Sequence, residues 1–351
     1  MLYELLRQKG RVETDHLFPQ LADRSLVYEI FERFGPKGDL QYWAHAEEFL
    51  DFVDTAAVEK DDTNARRRVL KQLMAGSGPQ MTMERFRDLA ILAVAAECSP
   101  HVELGSRASE AWQPYMRWAK SRRKSDAIIT FNYDEVVEKL GAAPDVQHIS
   151  QESVMLPMRN ALDPDLCQVF KVHGSVKWAY DDRNGREPFK HFGNIQGFTL
   201  EDGYRPLIAT PGITKKTHCD NALENIWRAA MTKLRSAEVV VFMGYRFPPS
   251  DSFARTSILA ALQQNESVHL RIHTVLGPDV RHENTVRLVS MLTHILQGKG
   301  RIEQEPQLPR DGTQLRTYAI VPQPLYVEDF LSIFHPRMLY GASNFSEELE
   351  P

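Results

Sequence analysis

The stretch Asp126-Ala127-Ile128-Ile129-Thr130-Phe131-Asn132-Tyr133-Asp134 holds an apolar, β-branched run that stops abruptly at an amide, a ring and a carboxylate. Such a run suits a strand covered on both faces, and in open α/β sheets ligands collect beyond the carboxyl ends of such strands. Asn132 and Asp134 then stand at a strand mouth. The same residues also suit a helix start, with Asn132 or Asp134 accepting free amides ahead of Glu135-Val136-Val137-Glu138-Lys139-Leu140. The stretch alone leaves both readings open.

Its position divides the chain. From Met1 to about Ser125, apolar residues recur at three and four, as in Leu26-Val27-Tyr28-Glu29-Ile30-Phe31 and Ala46-Glu47-Glu48-Phe49-Leu50-Asp51-Phe52-Val53, which predicts helices. Further helices are expected over 64–74, 82–96 and 109–120. Gly35-Pro36-Lys37-Gly38 and Gly76-Ser77-Gly78-Pro79 follow no apolar strand, so they read as breaks and not as phosphate loops. After Ser125 short apolar runs alternate with helical segments. Strands are expected over 127–131, 168–172, 206–210, 238–243, 269–275 and 315–321, and helices over 220–236, 250–263, 284–296 and 327–334.

The expected fold class is therefore α/β, a Rossmann-like, mainly parallel sheet with a helical N-terminal or inserted subdomain. The expected division is a helical region over 1–124, a core over 125–335 and a tail over 336–351. The polar segment 181–203 reads either as an excursion over a cleft or as a surface connection.

Charge and cysteine usage exclude some functions. A net charge of −5 supplies no global positive field for nucleic acid or an anionic membrane. The basic runs Arg66-Arg67-Arg68 and Lys120-Ser121-Arg122-Arg123-Lys124 read as solvated helix faces or ends. Cys98, Cys167 and Cys219 are isolated thiols without a Cys-x-x-Cys pair, which argues against a zinc ribbon and against a disulfide framework. No apolar segment has the length of a leader or a membrane span, so a cytoplasmic, unanchored protein is expected.

Three later stretches repeat the design of the first. Gln168-Val169-Phe170-Lys171-Val172-His173-Gly174-Ser175 is a strand-like run ending in a histidine and a glycine. Imidazole exchanges a proton near neutral pH, so His173 is a candidate general base as well as a candidate structural histidine. Gly174 lets another group approach the backbone closely. Val239-Val240-Val241-Phe242-Met243-Gly244-Tyr245-Arg246-Phe247-Pro248-Pro249-Ser250-Asp251 fits a central buried strand with a permissive glycine at its mouth. His273-Thr274-Val275-Leu276-Gly277-Pro278-Asp279 ends in a Gly-Pro turn.

Taken in order, these motifs resemble the SIR2-like family, the prokaryotic sirtuin-related NAD-binding domains, over about Ser125 to Phe334. Thr130-Phe131-Asn132-Tyr133-Asp134 is similar to its Thr-x-Asn-x-Asp motif and Lys171-Val172-His173-Gly174-Ser175 to its His-Gly motif. Leu207-Ile208-Ala209-Thr210-Pro211-Gly212-Ile213-Thr214-Lys215-Lys216 is similar to a segment of the prokaryotic branch, as is Met243-Gly244-Tyr245-Arg246-Phe247-Pro248-Pro249-Ser250-Asp251.

The resemblance implies cleavage of the nicotinamide glycosidic bond of NAD+, with NAD as ligand or substrate and no zinc. It assigns Asn132 to the ribose or attacking water, Asp134 to the nicotinamide pocket and His173 to the base. Thr130, Tyr133, Gly174 and Ser175 complete that end; Gly244, Tyr245, Arg246, Pro278 and Asp279 lie along the adenosine side. A sirtuin-type deacylase is disfavoured by the lack of zinc-module cysteines. The implied setting is anti-phage defence, with a homo-oligomer or a defence-system partner protein as expected associations. The alternative is a non-catalytic nucleotide-binding or regulatory module, and a purely structural domain is a third.

Two departures from the family are visible. No Gly-Ala-Gly-x-Ser type loop precedes Asp126, and Leu17-Phe18-Pro19-Gln20-Leu21 resembles the segment just after that loop in relatives, so the expectation is a chain that begins downstream of its true start. Arg246 stands where relatives place a small hydroxyl residue.

Overall fold

A computed structural model of the chain describes residues 27, 30, 46–59, 61, 63–75, 81–98, 112–150, 165–181, 189–191, 204–209, 222–248, 251–297, 301–302 and 317–339. The glycine clusters at 35–38 and 76–79, the segment 17–21, most of 181–203, residues 210–216 and the 346–351 tail lie outside them.

The chain forms two units. The first comprises Met1–Leu104, Ile129–Val136 and Lys171–Asn225, and the second Gly105–Ile128, Val137–Phe170 and Ile226–Pro351.

In the first unit, three helices follow the predicted apolar spacing: α1 (Ala46–Val58), α2 (Ala65–Leu73) and α3 (Met83–Cys98). Asn64 starts α2 by accepting the amides of Arg66 and Arg67, satisfying two of the donors that every helix leaves open at its start. Phe49, Val53, Ala56, Leu70, Phe86 and Leu89 form the centre of this helical core, with the Phe49 and Phe86 rings edge-on at 6.5 Å.

The same unit holds an antiparallel sheet ordered β4-β3-β5, from β3 (Gly174–Tyr180), β4 (Phe189–His191) and β5 (Arg205–Ile208). Helix α3 closes over it: Ile91 packs with Val176 and Ile208, and Asp88 pairs with Arg87 at 3.1 Å and with Arg205 of β5 at 3.6 Å. Strand β3 is an element the sequence pattern does not announce. Ser175 and Ala179 on one face are as buried as Val176 and Trp178 on the other, so the alternation that marks a half-buried strand is missing.

The second unit carries the parallel sheet that the apolar runs predict, ordered β6-β7-β9-β8, from β6 (Val239–Met243), β7 (His269–Gly277), β8 (Arg301–Ile302) and β9 (Thr317–Pro324). Strand β7 is paired along both edges, with β6 and β9, and its Leu270, Ile272 and Val275 are fully buried. Helix α6 (Glu224–Ser236) leads into β6, and α7 (Ser252–Gln263), α8 (Glu283–Gln297) and α9 (Val327–Ser332) lie between or after these strands. With α4 (Gln113–Lys120) and α5 (Val136–Gly141) they complete the described helices longer than four residues. The architecture is mixed α/β with N-terminal helices and a parallel, Rossmann-like sheet. Among the described residues, no helix is long and apolar enough to cross a membrane.

His273 ties the end of the described chain to the centre of this sheet. Its Nε2 lies 3.2 Å from the carbonyl oxygen of Leu339 and its Nδ1 lies 3.0 Å from the amide nitrogen of Gln323 on β9. A carbonyl only accepts, so Nε2 carries the proton and Nδ1 accepts from Gln323. Burial pushes the His273 pKa down to about 4.

Candidate functional site

Strands β1 (Ala127–Thr130) and β2 (Gln168–Lys171) pair with each other. The first unit receives the carboxyl ends of both. The amide of Val172 donates to the carbonyl of Thr130 at 3.2 Å, and the amide of Val176 donates to the carbonyl of Tyr133 at 3.1 Å. These two bonds lay the loop 130–134 along 172–176, so the residues of two motifs forty positions apart become neighbours.

Within that loop each polar group has a distinct environment. Thr130 accepts the Asn132 amide through Oγ1 at 3.1 Å, which turns the chain and leaves the Asn132 side chain exposed. The Tyr133 hydroxyl donates to the carbonyl of Ala209 at 3.4 Å, and its ring packs on Ile91, Val176 and Ile208. Asp134 accepts the amide of Val136 through Oδ1 at 3.0 Å, so this carboxylate caps α5. The helix-start reading of the stretch is therefore realised by Asp134, while the strand reading is realised by 127–130.

Lys171 fastens the loop from below. Its side chain is buried and its Nζ donates to the carbonyl of Asp134. Glu135 and Lys177 form an ion pair on the same side. Sequence reasoning placed Lys171 in a motif without assigning it a task; the available signal was a lysine inside the otherwise apolar run Val169-Phe170-Lys171-Val172.

His173 follows directly. It is 5% exposed, its carbonyl accepts the amide of Ala209 at 2.8 Å, and its imidazole meets the Phe131 ring edge-on with centroids 4.8 Å apart. The aromatic wall restricts the imidazole to a narrow range of orientations. Gly174 adopts φ +86°, and a Cβ there would lie 1.9 Å from the carbonyl oxygen of Leu207. The close approach that glycine permits is thus made by strand β5 of the same chain. Ser175 is buried, and its Oγ accepts the amide of Lys177 at 3.3 Å.

The remaining predicted residues form a second set at the carboxyl ends of β6 and β7, inside the second unit. Gly244, at φ +72°, donates its amide to the carbonyl of Val275 at 3.0 Å, and the space beside its Cα is open, Val327 Cγ2 being the nearest atom at 4.0 Å. The Tyr245 hydroxyl donates to Asp251 Oδ2 at 3.1 Å; burial, and then the neighbouring carboxylate, push the phenol above its usual range. Arg246 donates to the carbonyl of Leu276 at 3.3 Å. Pro278 and Asp279 are exposed, and Asp279 Oδ1 accepts the amide of Arg281 at 2.9 Å.

Arg287 and Tyr326 stand beside this second set and carry no sequence motif. Among the described residues, no three His, Cys, Asp or Glu side chains converge as a metal site.

Residues 126–291 match the family model of the SIR2-like domain. No curated protein matches the chain.

Proposed function

We infer that this chain, which carries a SIR2-like domain over residues 126–291, binds NAD+ and cleaves its nicotinamide glycosidic bond. The domain implies an NAD-related function, and the hydrolytic chemistry is assigned from the first unit. The observation that carries it is the contact of the two motifs, Val172 bonded to Thr130 and the His173 imidazole against the Phe131 ring, the residue that precedes the exposed Asn132. An exposed amide and a nearby imidazole backed by an aromatic ring are what an oxocarbenium-like transition state and an attacking water require.

In this assignment Asn132 orients the ribose or the water. The bond between the ribose C1′ and the nicotinamide nitrogen breaks, and its electron pair leaves with nicotinamide. The water oxygen bonds to C1′ and its proton passes to His173. Asp134 keeps the loop at the mouth of β1 by capping α5, Thr130 and Tyr133 hold the same loop in place, and Gly174 and Ser175 are assigned to the ligand at that end. Gly244, Tyr245, Arg246, Pro278 and Asp279 are assigned to the adenosine half. The open face of Gly244 suits a ligand that approaches main chain.

The test is release of free nicotinamide from NAD+ by the purified protein, beside His173→Ala and Asn132→Ala. Release by the wild type, reduced at least about a hundredfold in each variant, is expected for a lost base or a lost orienting group. Equal release from all three overturns the assignment. The engagement of the Asp134 carboxylate as a helix cap and the burial of His173 favour a second reading, a nucleotide-binding module without turnover. Saturable NAD+ binding with no release supports that module instead. A cytoplasmic role in anti-phage defence by depletion of the dinucleotide is the setting we assign, and phage challenge of cells carrying the wild type or His173→Ala tests it.

A further inference from the structure

Within the first unit, the segment 171–177 that carries His173 grips the loop 130–135 through both main chain and side chains. Two ties are main chain to main chain: the Val172 amide donates to the Thr130 carbonyl at 3.2 Å, and the Val176 amide to the Tyr133 carbonyl at 3.1 Å. Two others run through lysines. Lys171 Nζ donates to the Asp134 carbonyl, and Lys177 Nζ pairs with the Glu135 carboxylate. The exposed Asn132 lies between the tied residues Thr130 and Tyr133, so its placement follows from bonds made by its neighbours.

The two lysines are not equivalent. Lys171 is 1% exposed, whereas the Lys177 and Glu135 side chains are 29% and 12% exposed. Water weakens an ion pair that it can reach, so the Lys177 pair is the lesser restraint. A buried ammonium has given up its hydration and must recover it from protein acceptors through charge-assisted bonds. Methionine has a similar length and fills such a space without that penalty. What the lysine adds is a charged donor on a carbonyl of the loop.

That carbonyl belongs to a residue already held from its other end. The Asp134 carboxylate accepts the Val136 amide at 3.0 Å while its main chain accepts Lys171. Fixing a residue through side chain and main chain together removes most of its freedom to rotate, and the loop before it inherits the restraint. The His173 side of the junction is equally fixed, by the Ala209 amide on its carbonyl at 2.8 Å and by the Phe131 ring against its imidazole.

We propose that Lys171 is a positioning residue of the nicotinamide-cleaving site, whose buried ammonium holds the loop of Asn132 against the segment of His173. In this role it touches neither the substrate nor the reacting atoms. The kinetic consequence rests on the reaction inferred above; the structural consequence rests on the hydrogen bonds of the two motifs alone.

The test compares the full-length wild type with Lys171→Met, and with Lys171→Gln should the methionine variant not fold. Amide hydrogen exchange is followed over peptides covering 130–136 and 172–176, which hold the bonded amides of Asn132, Val136, Val172 and Val176. In the Lys171 variant these amides exchange about tenfold faster or more, while those of 269–277 in the second unit keep the wild-type rate. Nicotinamide release from NAD+ is measured beside it. There kcat falls about tenfold and KM stays within about twofold, as misplaced reacting groups without lost binding require. Lys177→Met, which cuts the partly exposed pair, changes either readout by less than about threefold.

Wild-type exchange over both peptides in the Lys171 variant overturns the proposal. A lower urea midpoint with unchanged kcat reduces Lys171 to a core residue and overturns it as well, as does failure of both variants to fold. A rise in KM alone assigns the lysine to binding and has the same force. Absence of nicotinamide release from the wild type removes the reaction instead; faster exchange in the Lys171 variant then leaves the clamp standing without it.

Discussion

Phe131 and His173 belong to the two strand-end motifs of the first unit and meet edge to face, with ring centroids 4.8 Å apart and planes 75° apart. The contact gives the imidazole a wall on one side while its own backbone is tied to Ala209. Phe131 is thus a positioning residue for the proposed base.

Replacement of Phe131 by Leu is expected to keep the fold, at a cost of about 1 kcal/mol for the lost aromatic pair. Nicotinamide release is expected to slow about tenfold, since a freer imidazole spends less time in the productive orientation. Phe131→Tyr is expected to restore most of the rate. Comparing kcat with KM separates positioning from binding: positioning moves kcat, and a change in KM alone counts against it.

Two glycines are expected to respond very differently to alanine. Gly174→Ala drives a Cβ to 1.9 Å from the Leu207 carbonyl and also strains φ +86°, so strand β3 must part from β5. The expected destabilisation exceeds about 3 kcal/mol. At Gly244 the nearest atom is 4.0 Å away and only the positive φ is disfavoured, so Gly244→Ala costs about 1 kcal/mol. Urea unfolding of the two variants reads the difference directly.

Asp134 offers a way to separate a cap from a chemical role. Its Oδ1 accepts the Val136 amide, and Asn caps as well as Asp. Asp134→Ala is expected to lose about 1 kcal/mol of stability and Asp134→Asn almost none. If the carboxylate also serves the nicotinamide end, Asp134→Asn slows nicotinamide release while melting like the wild type; unchanged release confines Asp134 to the cap.

Stability is expected to fall as the pH drops from 6.5 towards 4. The folded pKa of His273 is pushed down from 6.5 to about 4, so over that interval the unfolded chain binds a proton that the folded chain refuses. The stabilisation is complete above the unfolded value and is lost progressively as the pH falls to the folded one, by about 2–3 kcal/mol in all. Protonating Nδ1 also removes its acceptor for Gln323. In His273→Gln the difference between urea midpoints at pH 7 and pH 4.5 is expected to shrink, and an unchanged difference rules out His273 as its source.

The strand ends were legible because each closes a mainly apolar run with a glycine or a small polar group, a pattern that burial on both faces imposes. The parallel sheet around β7 and the loop from Thr130 to Asp134 both express it. Strand β3 was hidden by the same cause in another form: Ser175 and Lys177 interrupt the apolar text, yet Ser175 is buried, so polarity stopped reporting exposure. Lys171 was hidden because its partner is a backbone carbonyl, which leaves no mark in the sequence. Tyr326 and Arg287 were hidden because their neighbours are strand-end main chain and glycines far away in the chain.

The backbone changes unit at 104/105, 128/129, 136/137, 170/171 and 225/226. A single cut in the gene therefore releases neither unit as a self-sufficient fragment. The first waits during synthesis for residues beyond Lys171 before its antiparallel sheet can close, and the second draws on residues from both before and after that point. Such distant closures make folding slow relative to a chain of local contacts. A truncation that falls between β7 and β9 removes a strand that β7 pairs with and leaves an unpaired sheet edge open to aggregation.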